Sequence, residues 1–285
     1  MSEKSMSKDT RKNVILLHIA VMCFSCSGVI GQYVQVPAVQ VAMGRVICSS
    51  LLLLAISLVC KDKLTLDSKK DYGLMILTGV VMAIHWSSFF QSIQTSSVAI
   101  GTITFSTFPL FLTFLEPLLF HEKIRGKNIL NALILLMGVL ITIPEFSVEN
   151  KVTSGILWGM LASFTYAVMT LSNRYFSSRY KGRTICLYEQ GTAAIALLPA
   201  LVLVKAEWRP VDFAGVATIG FLCTAIAYSL YVTAQKGVKA QTAGIISGME
   251  TVYGIVFALL FLREIPTVRE LVGGAVILGI AFYSS

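Results

Sequence analysis

Hydrophobic residues in this chain gather into long runs that short polar segments separate. Apolar runs of 18 or more residues recur along the whole chain, which is the pattern of helices that cross a bilayer. The short alternating segments typical of membrane β-barrel strands are not seen in the sequence. The pattern therefore predicts an all-α polytopic membrane protein with about ten transmembrane helices.

Polar loops and prolines set the limits of the predicted spans. Pro37 suits the first turn of a helix, where its missing N–H costs nothing. Pro109 falls inside the fourth span, where it removes a backbone hydrogen bond and can kink the helix. The ten predicted spans are residues 13–34, 37–60, 72–94, 97–120, 127–144, 153–176, 184–204, 212–235, 240–262 and 268–284.

Composition and charge agree with a membrane protein and give it an orientation. Of the 285 residues 55% are hydrophobic and 13% are charged, whereas soluble domains carry about 25% charged residues. The net charge of +8 comes from basic residues in short loops, so membrane topology explains it and no nucleic-acid partner is expected. With a cytoplasmic N-terminus, 17 Lys and Arg residues lie inside and 5 outside, which predicts an inner-membrane protein with both termini in the cytoplasm.

The two halves of the chain follow the same plan. A shift of 142 residues places charged and aromatic positions on one another: Glu264 on Glu122, Arg269 on Lys127, Tyr228 on Trp86 and Tyr231 on Phe89. Each half holds five spans, and because five is odd the halves must face opposite ways in the membrane. The sequence thus predicts two inverted five-helix repeats, residues 1–150 and 151–285, the design of secondary transporters that bind substrate near the midplane between the repeats.

Two segments carry a resemblance to a known family. Residues 247–264 read SGMETVYGIVFALLFLRE, which is similar to an L-E-P-V…E pattern, and residues 108–122 hold its first-half counterpart. Arg45 matches an arginine common early in the second span. On these motifs the chain resembles the drug/metabolite transporter superfamily in its ten-span form with two EamA-type repeats. The resemblance implies export or uptake of small metabolites, often amino acids and related compounds, by alternating access.

Three positions depart from that family pattern. Thr251 stands where the family has a proline after the glutamate, and His121 and Arg263 stand where a glycine precedes the loop glutamate. These differences weaken any transfer of fine helix geometry from the family to this chain.

Three of the ionisable residues inside the predicted spans stand out, because a charge there costs roughly 2.5–3.5 kcal/mol on insertion scales. Glu250, roughly 15 Å deep, is either a site for a substrate amine or coupling proton, or a buried glutamate that satisfies backbone groups near a helix break. Arg45, roughly 12 Å deep, could bind a carboxylate, but pairing with an acid or snorkelling is favoured. For Glu189, roughly 9 Å from the cytoplasmic end, an interfacial place is favoured. Glu122 and Glu264 are expected to organise loops beside Lys127 and Arg269.

Aromatic and polar side chains are expected to wall a central cavity. Trp86 and Phe89, and Tyr228 and Tyr231, share i, i+3 spacing, so each pair lies on one helix face. Ordinary packing is the alternative, and for His85 a neutral, hydrogen-bonded ring is favoured over a proton relay. The predicted substrate-binding residues are His85, Trp86, Phe89, Ser106, Thr107, Tyr166, Tyr228, Tyr231, Ser247 and Glu250.

Motifs for other functions are not seen in the sequence. No Ser/His/Asp arrangement, HExxH or P-loop is visible, and Cys23-x-x-Cys26 lacks a second ligand pair. We therefore expect no catalytic residue, metal or cofactor. A secondary transporter is the favoured function, with an intramembrane enzyme and a scaffold or receptor as alternatives. Its expected partners are a small-molecule substrate, the lipid bilayer and protons as a coupling ion. The small-residue motifs at 155–159 and 244–248 are expected to pack within one chain, as a monomer or weak homodimer.

Overall fold

The computed structural model describes residues 8–121, 126–145, 147–235, 238 and 240–284. Helices and their connections account for all of these residues, without a strand among them. The helices are α1 (Lys8–Tyr33), α2 (Ala38–Val59), α3 (Lys69–Thr95), α4 (Val98–Phe105), α5 (Phe108–Phe120), α6 (Gly126–Thr142), α7 (Lys151–Ser177), α8 (Gly182–Leu197), α9 (Ala200–Leu203), α10 (Pro210–Gly220), α11 (Ala227–Gln235), α12 (Ala240–Phe257) and α13 (Val268–Ser284). The predicted all-α class is confirmed.

These helices form about ten passes through the bundle. Seven described segments are long and apolar enough to cross a membrane, and Gly126–Thr142 and Ile246–Leu262 are shorter apolar helices. The fourth span consists of α4 and α5, the seventh of α8 and α9, and the eighth of α10 and α11. The predicted number of spans is therefore confirmed.

Local sequence explains where several helices start. Ser68 and Ser97 accept hydrogen bonds from backbone N–H groups in the first turns of α3 and α4, and the side chain of Asn150 does the same for α7. The predicted kink in the fourth span is a complete break, because α4 ends at Phe105 and Pro109 occupies the first turn of α5.

Two spans contain π-helical segments that the sequence does not announce. Residues Phe221–Ile226 join α10 to α11, and residues Ala258–Leu262 follow α12. In the first segment the hydroxyl of Thr224 donates to the carbonyl of Ile219, five residues earlier, at 2.7 Å. Since π-helical turns widen a helix locally, they change which face of the following turn meets the rest of the bundle.

Hydrogen bonds between helices show the directions in which they run. At the start of α3, Asp71 accepts from Arg179, just beyond the end of α7, at 2.9 Å. At the other end of α3, Ser92 donates to the carbonyl of Gly155, near the start of α7, at 2.6 Å. Gln94 also donates to Gly31 at the end of α1. Thus α1 and α7, the first helices of the two halves, run in opposite directions.

The halves interlock rather than lie side by side. Helix α3 packs on α7 and α8, α10 and α11 pack on α1, and α6 packs on α13. At Gly155 a Cβ atom would lie 2.2 Å from the Ser96 Oγ atom, and at Gly159 it would lie 2.8 Å from Thr104. Glycine is therefore needed for this close approach, and the 155–159 motif serves packing within the chain.

One end of the bundle carries ion pairs between the halves, which we call the ion-pair cluster: Asp62, Asp71, Arg179, Lys181 and Arg183. Asp62 accepts from the Arg183 Nε atom at 2.8 Å and from the Lys181 Nζ atom at 2.9 Å. These hydrogen bonds, from Arg183 first and Lys181 second, lower the pKa of Asp62 to about 2. The Asp62 carboxylate is buried while both cations are exposed, so the cations cover the acid.

Hydrogen bonds also join the halves at the opposite end of the bundle. Asp212 at the start of α10 accepts from the backbone N–H of Gln35 at 3.1 Å. Gln40 donates to the carbonyl of Val204 at 2.6 Å and accepts from the Trp208 indole at 3.0 Å. Because most of these groups are neutral, this end differs in chemistry from the ion-pair cluster.

Two helix ends have left-handed backbone geometry at the positions where the resembling family has glycine. His121 has a φ of 53° and Arg263 a φ of 58°, and their N–H groups donate to Pro117 and Ala258. Such a backbone favours glycine, which has no Cβ atom. The departures from the family pattern therefore keep the helix-end geometry. The predicted loop residue Glu122 lies outside the described residues.

Glu264 organises its loop, although not through Arg269. Its carboxylate accepts from the backbone N–H of Val98 at 3.0 Å and so attaches this loop to the start of α4. Arg269 donates instead to the carbonyls of Ile143 and Pro144, at 3.3 and 3.2 Å.

We expect Arg263→Gly to stabilise the protein by about 1 kcal/mol, because a left-handed conformation costs a residue with a Cβ atom roughly that much. The measurement is the thermal unfolding midpoint of the purified protein in detergent. Arg263→Ala is the matched control, since it removes the same side chain and keeps the Cβ atom. Equal midpoints for the two variants would contradict the prediction.

We expect Asp62→Asn to lower the unfolding midpoint at pH 7. A carboxylate with a lowered pKa stabilises the fold fully above its unfolded pKa, near 4, and loses that effect as the pH falls towards 2. The difference between Asp62→Asn and the parent protein should therefore shrink between pH 4 and pH 2. Asp67→Asn is the control, because Asp67 pairs with Lys63 on the exposed surface. A difference of the same size at every pH would refute the assignment.

Candidate substrate cavity

A cavity of about 210 Å³ lies between the two halves of the bundle. Its wall combines aromatic rings with a few polar and charged groups. They come from α1, α2, α3, α4, α7, α8, α11, α12 and the π-helical segment between α10 and α11. The lining residues are Phe24, Arg45, Met82, His85, Trp86, Phe89, Phe105, Tyr166, Met169, Asn173, Cys186, Glu189, Gln190, Thr224, Tyr228, Tyr231, Ser247 and Glu250.

The structure brings most of the predicted site residues to this cavity. The residues on its wall are Arg45, His85, Trp86, Phe89, Tyr166, Glu189, Tyr228, Tyr231, Ser247 and Glu250. Their role in binding a substrate stays a prediction at this point.

Ser106 and Thr107 lie away from the cavity. The hydroxyl of Ser106 is hydrogen-bonded to that of Thr251 at 2.6 Å, and the hydroxyl of Thr107 to that of Ser163 at 3.0 Å. Because the break between α4 and α5 falls at these two residues, their side chains point toward α12 and α7 and make contacts between helices. Thr251, the position of the missing family proline, therefore ties α12 to α4.

Arg45 is buried and faces the cavity instead of snorkelling. Arg45 is 3% exposed, and its guanidinium carbon lies 3.3 Å from the centre of the Trp86 ring. Two guanidinium nitrogens, Nε and Nη1, have no hydrogen-bond partner among the described residues. Close packing explains the burial, since a Cβ atom on Gly220 would lie 2.9 Å from the Arg45 carbonyl oxygen. A stacked guanidinium with free donors can bind an anionic group.

Glu250 is half-buried in α12 and opens onto the cavity. Its backbone carbonyl accepts from the Ser25 hydroxyl at 2.8 Å, but the described residues supply no hydrogen bond to its carboxylate. Arg45 is the charged group that acts on it electrostatically. The carboxylate is therefore not used to satisfy backbone groups at a helix break, which leaves it available to a ligand.

Glu189 points into the bundle and lines the cavity, and its depth near the cytoplasmic interface stays a prediction. The residue is 1% exposed, and its Oε1 atom has no hydrogen-bond partner among the described residues. Helix α8 packs against both α2 and α3, and a Cβ atom on Gly79 of α3 would lie 2.8 Å from the Glu189 carbonyl oxygen. This close packing of α8 buries the carboxylate beside Asn173, Cys186 and Tyr228.

His85 is fully buried among aromatic rings. Its Nδ1 atom lies 2.8 Å from the carbonyl oxygen of Ala162, and because a carbonyl can only accept, Nδ1 carries the proton. The ring centres of Trp86 and Tyr166 lie 4.6 and 5.5 Å away. The neutral, hydrogen-bonded ring favoured from the sequence agrees with this geometry, and His85 fixes the aromatic wall between α3 and α7.

Tyrosines also line the cavity. Tyr231 and Ser247 join α11 to α12 through their hydroxyls, and the ring of Tyr231 lies 5.8 Å from that of Phe24. Tyr166 packs edge-on against Phe105 at 4.9 Å. Phe24 and Phe105 were not predicted, because an isolated phenylalanine in an apolar run carries no signal of its direction.

Further polar lining residues were also missed by sequence reasoning. They are Asn173, Gln190 and Thr224. A signal for the first two does exist, since each is an uncharged polar residue within a predicted span, and Gln190 follows Glu189. Such residues rarely face lipid.

Comparisons with known proteins agree with this architecture. The model of the EamA-like transporter family matches the chain twice, over residues 11–143 and 153–285. A solved structure aligns over 96% of this chain and 96% of its own chain, with a TM-score of 0.65 and a sequence identity of 15%. At that identity the likeness shows a shared fold.

Relatives among curated proteins are described as uncharacterized transporters. One from Bacillus subtilis, YxxF, is 22% identical over 272 residues, which are 94% of this chain and 87% of the relative. One from Helicobacter pylori strain J99 is 25% identical over 287 residues, 94% of each protein. Because the family model matches both halves of the chain along nearly their whole length, this protein belongs to the EamA-like transporter family of membrane transporters.

Proposed function

We propose that this protein is a secondary transporter that moves small zwitterionic metabolites, such as amino acids and related compounds, across the inner membrane by alternating access. The observation that carries the proposal is the pair Arg45 and Glu250. Arg45 is buried and Glu250 is half-buried, both face one cavity, and both side chains retain hydrogen-bonding capacity that the described residues leave unused. A guanidinium is suited to a substrate carboxylate and a carboxylate to a substrate ammonium.

The rest of the cavity supports a small substrate. Its volume of about 210 Å³ is below the ≈ 300–1,000 Å³ typical of sites for drug-sized ligands. Aromatic rings of Tyr166, Tyr228 and Tyr231 line it and offer apolar surface to the carbon skeleton of a substrate. This combination of one cation, carboxylates and rings suits a molecule of amino-acid size.

The arrangement of the halves supports alternating access. Corresponding helices α1 and α7 run in opposite directions, as in transporters built from inverted repeats. The ion-pair cluster closes one end between the halves, and the contacts of Gln35, Gln40 and Asp212 close the other. Either end can therefore open by separating one set of contacts while the other set holds.

The excess of basic residues in alternate loops supports cytoplasmic termini. The ion-pair cluster would then face the cytoplasm, since it lies at the end where α3 begins and α7 ends. Glu250 is also our candidate for proton coupling, because a carboxylate in the centre of the bundle can bind either a proton or a substrate ammonium.

We expect Glu250→Gln to reduce the exchange of zwitterionic amino acids roughly 10–100-fold, the effect of losing one charged hydrogen bond of about 1.5–3 kcal/mol. The measurement is counterflow into proteoliposomes preloaded with unlabelled substrate, from pH 5 to pH 8, with a panel of labelled amino acids, amines and nucleotides. If Glu250 couples protons, the variant also loses the pH dependence of the parent.

Glu207→Gln is the matched control, because it removes the same charge from an exposed loop. Unchanged flux in Glu250→Gln at every pH would remove Glu250 from both roles. A correctly folded parent protein that exchanges none of the panel would count against metabolite transport itself.

A further inference from the structure

We propose that Glu189, Asn173 and Gln190 form a second cation subsite in the cavity, and that the preferred substrates are amino acids with a positively charged side chain. The proposal rests on the proposed function, because it assumes that the zwitterionic part of the substrate binds between Arg45 and Glu250. It adds the chemical class of the substrate and the residues that select it.

Unpartnered acceptor oxygens mark this subsite. Glu189 is 1% exposed and Gln190 is 5% exposed, and each has one side-chain oxygen without a hydrogen-bond partner. The side-chain oxygen of Asn173 likewise has no partner, and all three residues line the cavity. Three oxygens with no donors, one of them on a carboxylate, call for a ligand that brings several N–H groups.

The described protein residues do not supply that positive charge. The nearby basic residues of α7 and the following loop are occupied elsewhere, since Arg174 pairs with Glu116 and Arg179 with Asp71. The other cavity residues beside Glu189 include Cys186, Tyr166 and Tyr228, whose side chains do not carry a positive charge. A cation from the substrate would fill this gap.

The order of charges along the cavity is complementary to the order of charges in a basic amino acid. Arg45 lies seven residues after the start of α2, Glu189 seven after the start of α8, and Glu250 ten after the start of α12. At 1.5 Å per residue in a core about 30 Å thick, Glu250 lies near the centre and the other two about 5 Å to either side.

The resulting order is a cation, a carboxylate and a second carboxylate. In a basic amino acid the carboxylate and α-ammonium are adjacent, and a four-carbon stem places the distal cation about 6 Å further on. The substrate carboxylate would then bind Arg45, the α-ammonium Glu250 and the distal cation the subsite at Glu189.

The test compares L-lysine with L-norleucine, which has the same carbon chain without the terminal ammonium. Counterflow of each is measured with full-length protein in proteoliposomes, in Na⁺ and in K⁺ buffers. We expect the parent protein to take lysine with a KM at least about tenfold lower than that of norleucine. Glu189→Gln should abolish this preference, so that the KM of the variant for lysine equals its KM for norleucine.

Two further variants keep the result interpretable. Gln190→Met keeps the length of the side chain at 190 and leaves the Glu189 carboxylate in place, so it should reduce the preference for lysine by a few-fold only. This variant still tests the subsite if Glu189→Gln folds poorly. Glu207→Gln, on an exposed loop, should retain the full preference.

Equal KM values for lysine and norleucine in the parent protein would overturn the subsite while leaving amino-acid transport intact. An equal loss of both substrates in Glu189→Gln, or a loss only of Na⁺ dependence, would also overturn it. If the parent protein exchanges neither amino acid, the subsite and the proposed zwitterionic substrate fail together.

Discussion

The need to hold charges inside a bilayer shapes this structure more than any other constraint. Arg45, Glu189 and Glu250 each bring a charge into the spans, where insertion costs roughly 2.5–3.5 kcal/mol apiece. The bundle accommodates them on the wall of one cavity, and it seals the surrounding helices tightly. Glycines at 79 and 220 let α3 and α10 approach the backbones of Glu189 and Arg45, so that the charges are covered from lipid and left open to the cavity.

Both halves contain irregular helix segments. The fourth span breaks between α4 and α5, and the ninth continues from α12 into a π-helical segment. A hydrogen bond between Ser106 and Thr251 joins the two spans, and the first half keeps Pro109 where the second half has this threonine. The first half thus interrupts its helix at Pro109, whereas the corresponding residue of the second half, Thr251, forms a hydrogen bond to the fourth span.

Much of this architecture could be predicted from the sequence, because the signals are physical and strong. Long apolar runs fix the spans, and the cost of buried charge singles out Arg45, Glu189 and Glu250. The direction of a side chain was harder to predict. Depth along a helix gives no direction for Glu189, and the packing of α8 on α2 and α3 decides that this side chain points into the bundle. Ser106 and Thr107 were misplaced because the break at these residues rotates their side chains. The π-helical segments depend on tertiary packing, which leaves no local pattern.

The two ends of the bundle are closed by different chemistry, and this has a consequence for the electrolyte on each side. Exposed Lys181 and Arg183 hold the acid beneath them at one end, within reach of dissolved ions that screen charge over about 8 Å at physiological salt. At the other end Asp212 pairs with Arg209 of the same half, and Gln40 joins the halves through uncharged hydrogen bonds, which respond weakly to salt. Raising the ionic strength should therefore weaken the contacts between the halves more at the ion-pair cluster than at the end held by Gln40, so that salt acts on the two ends of the bundle unequally.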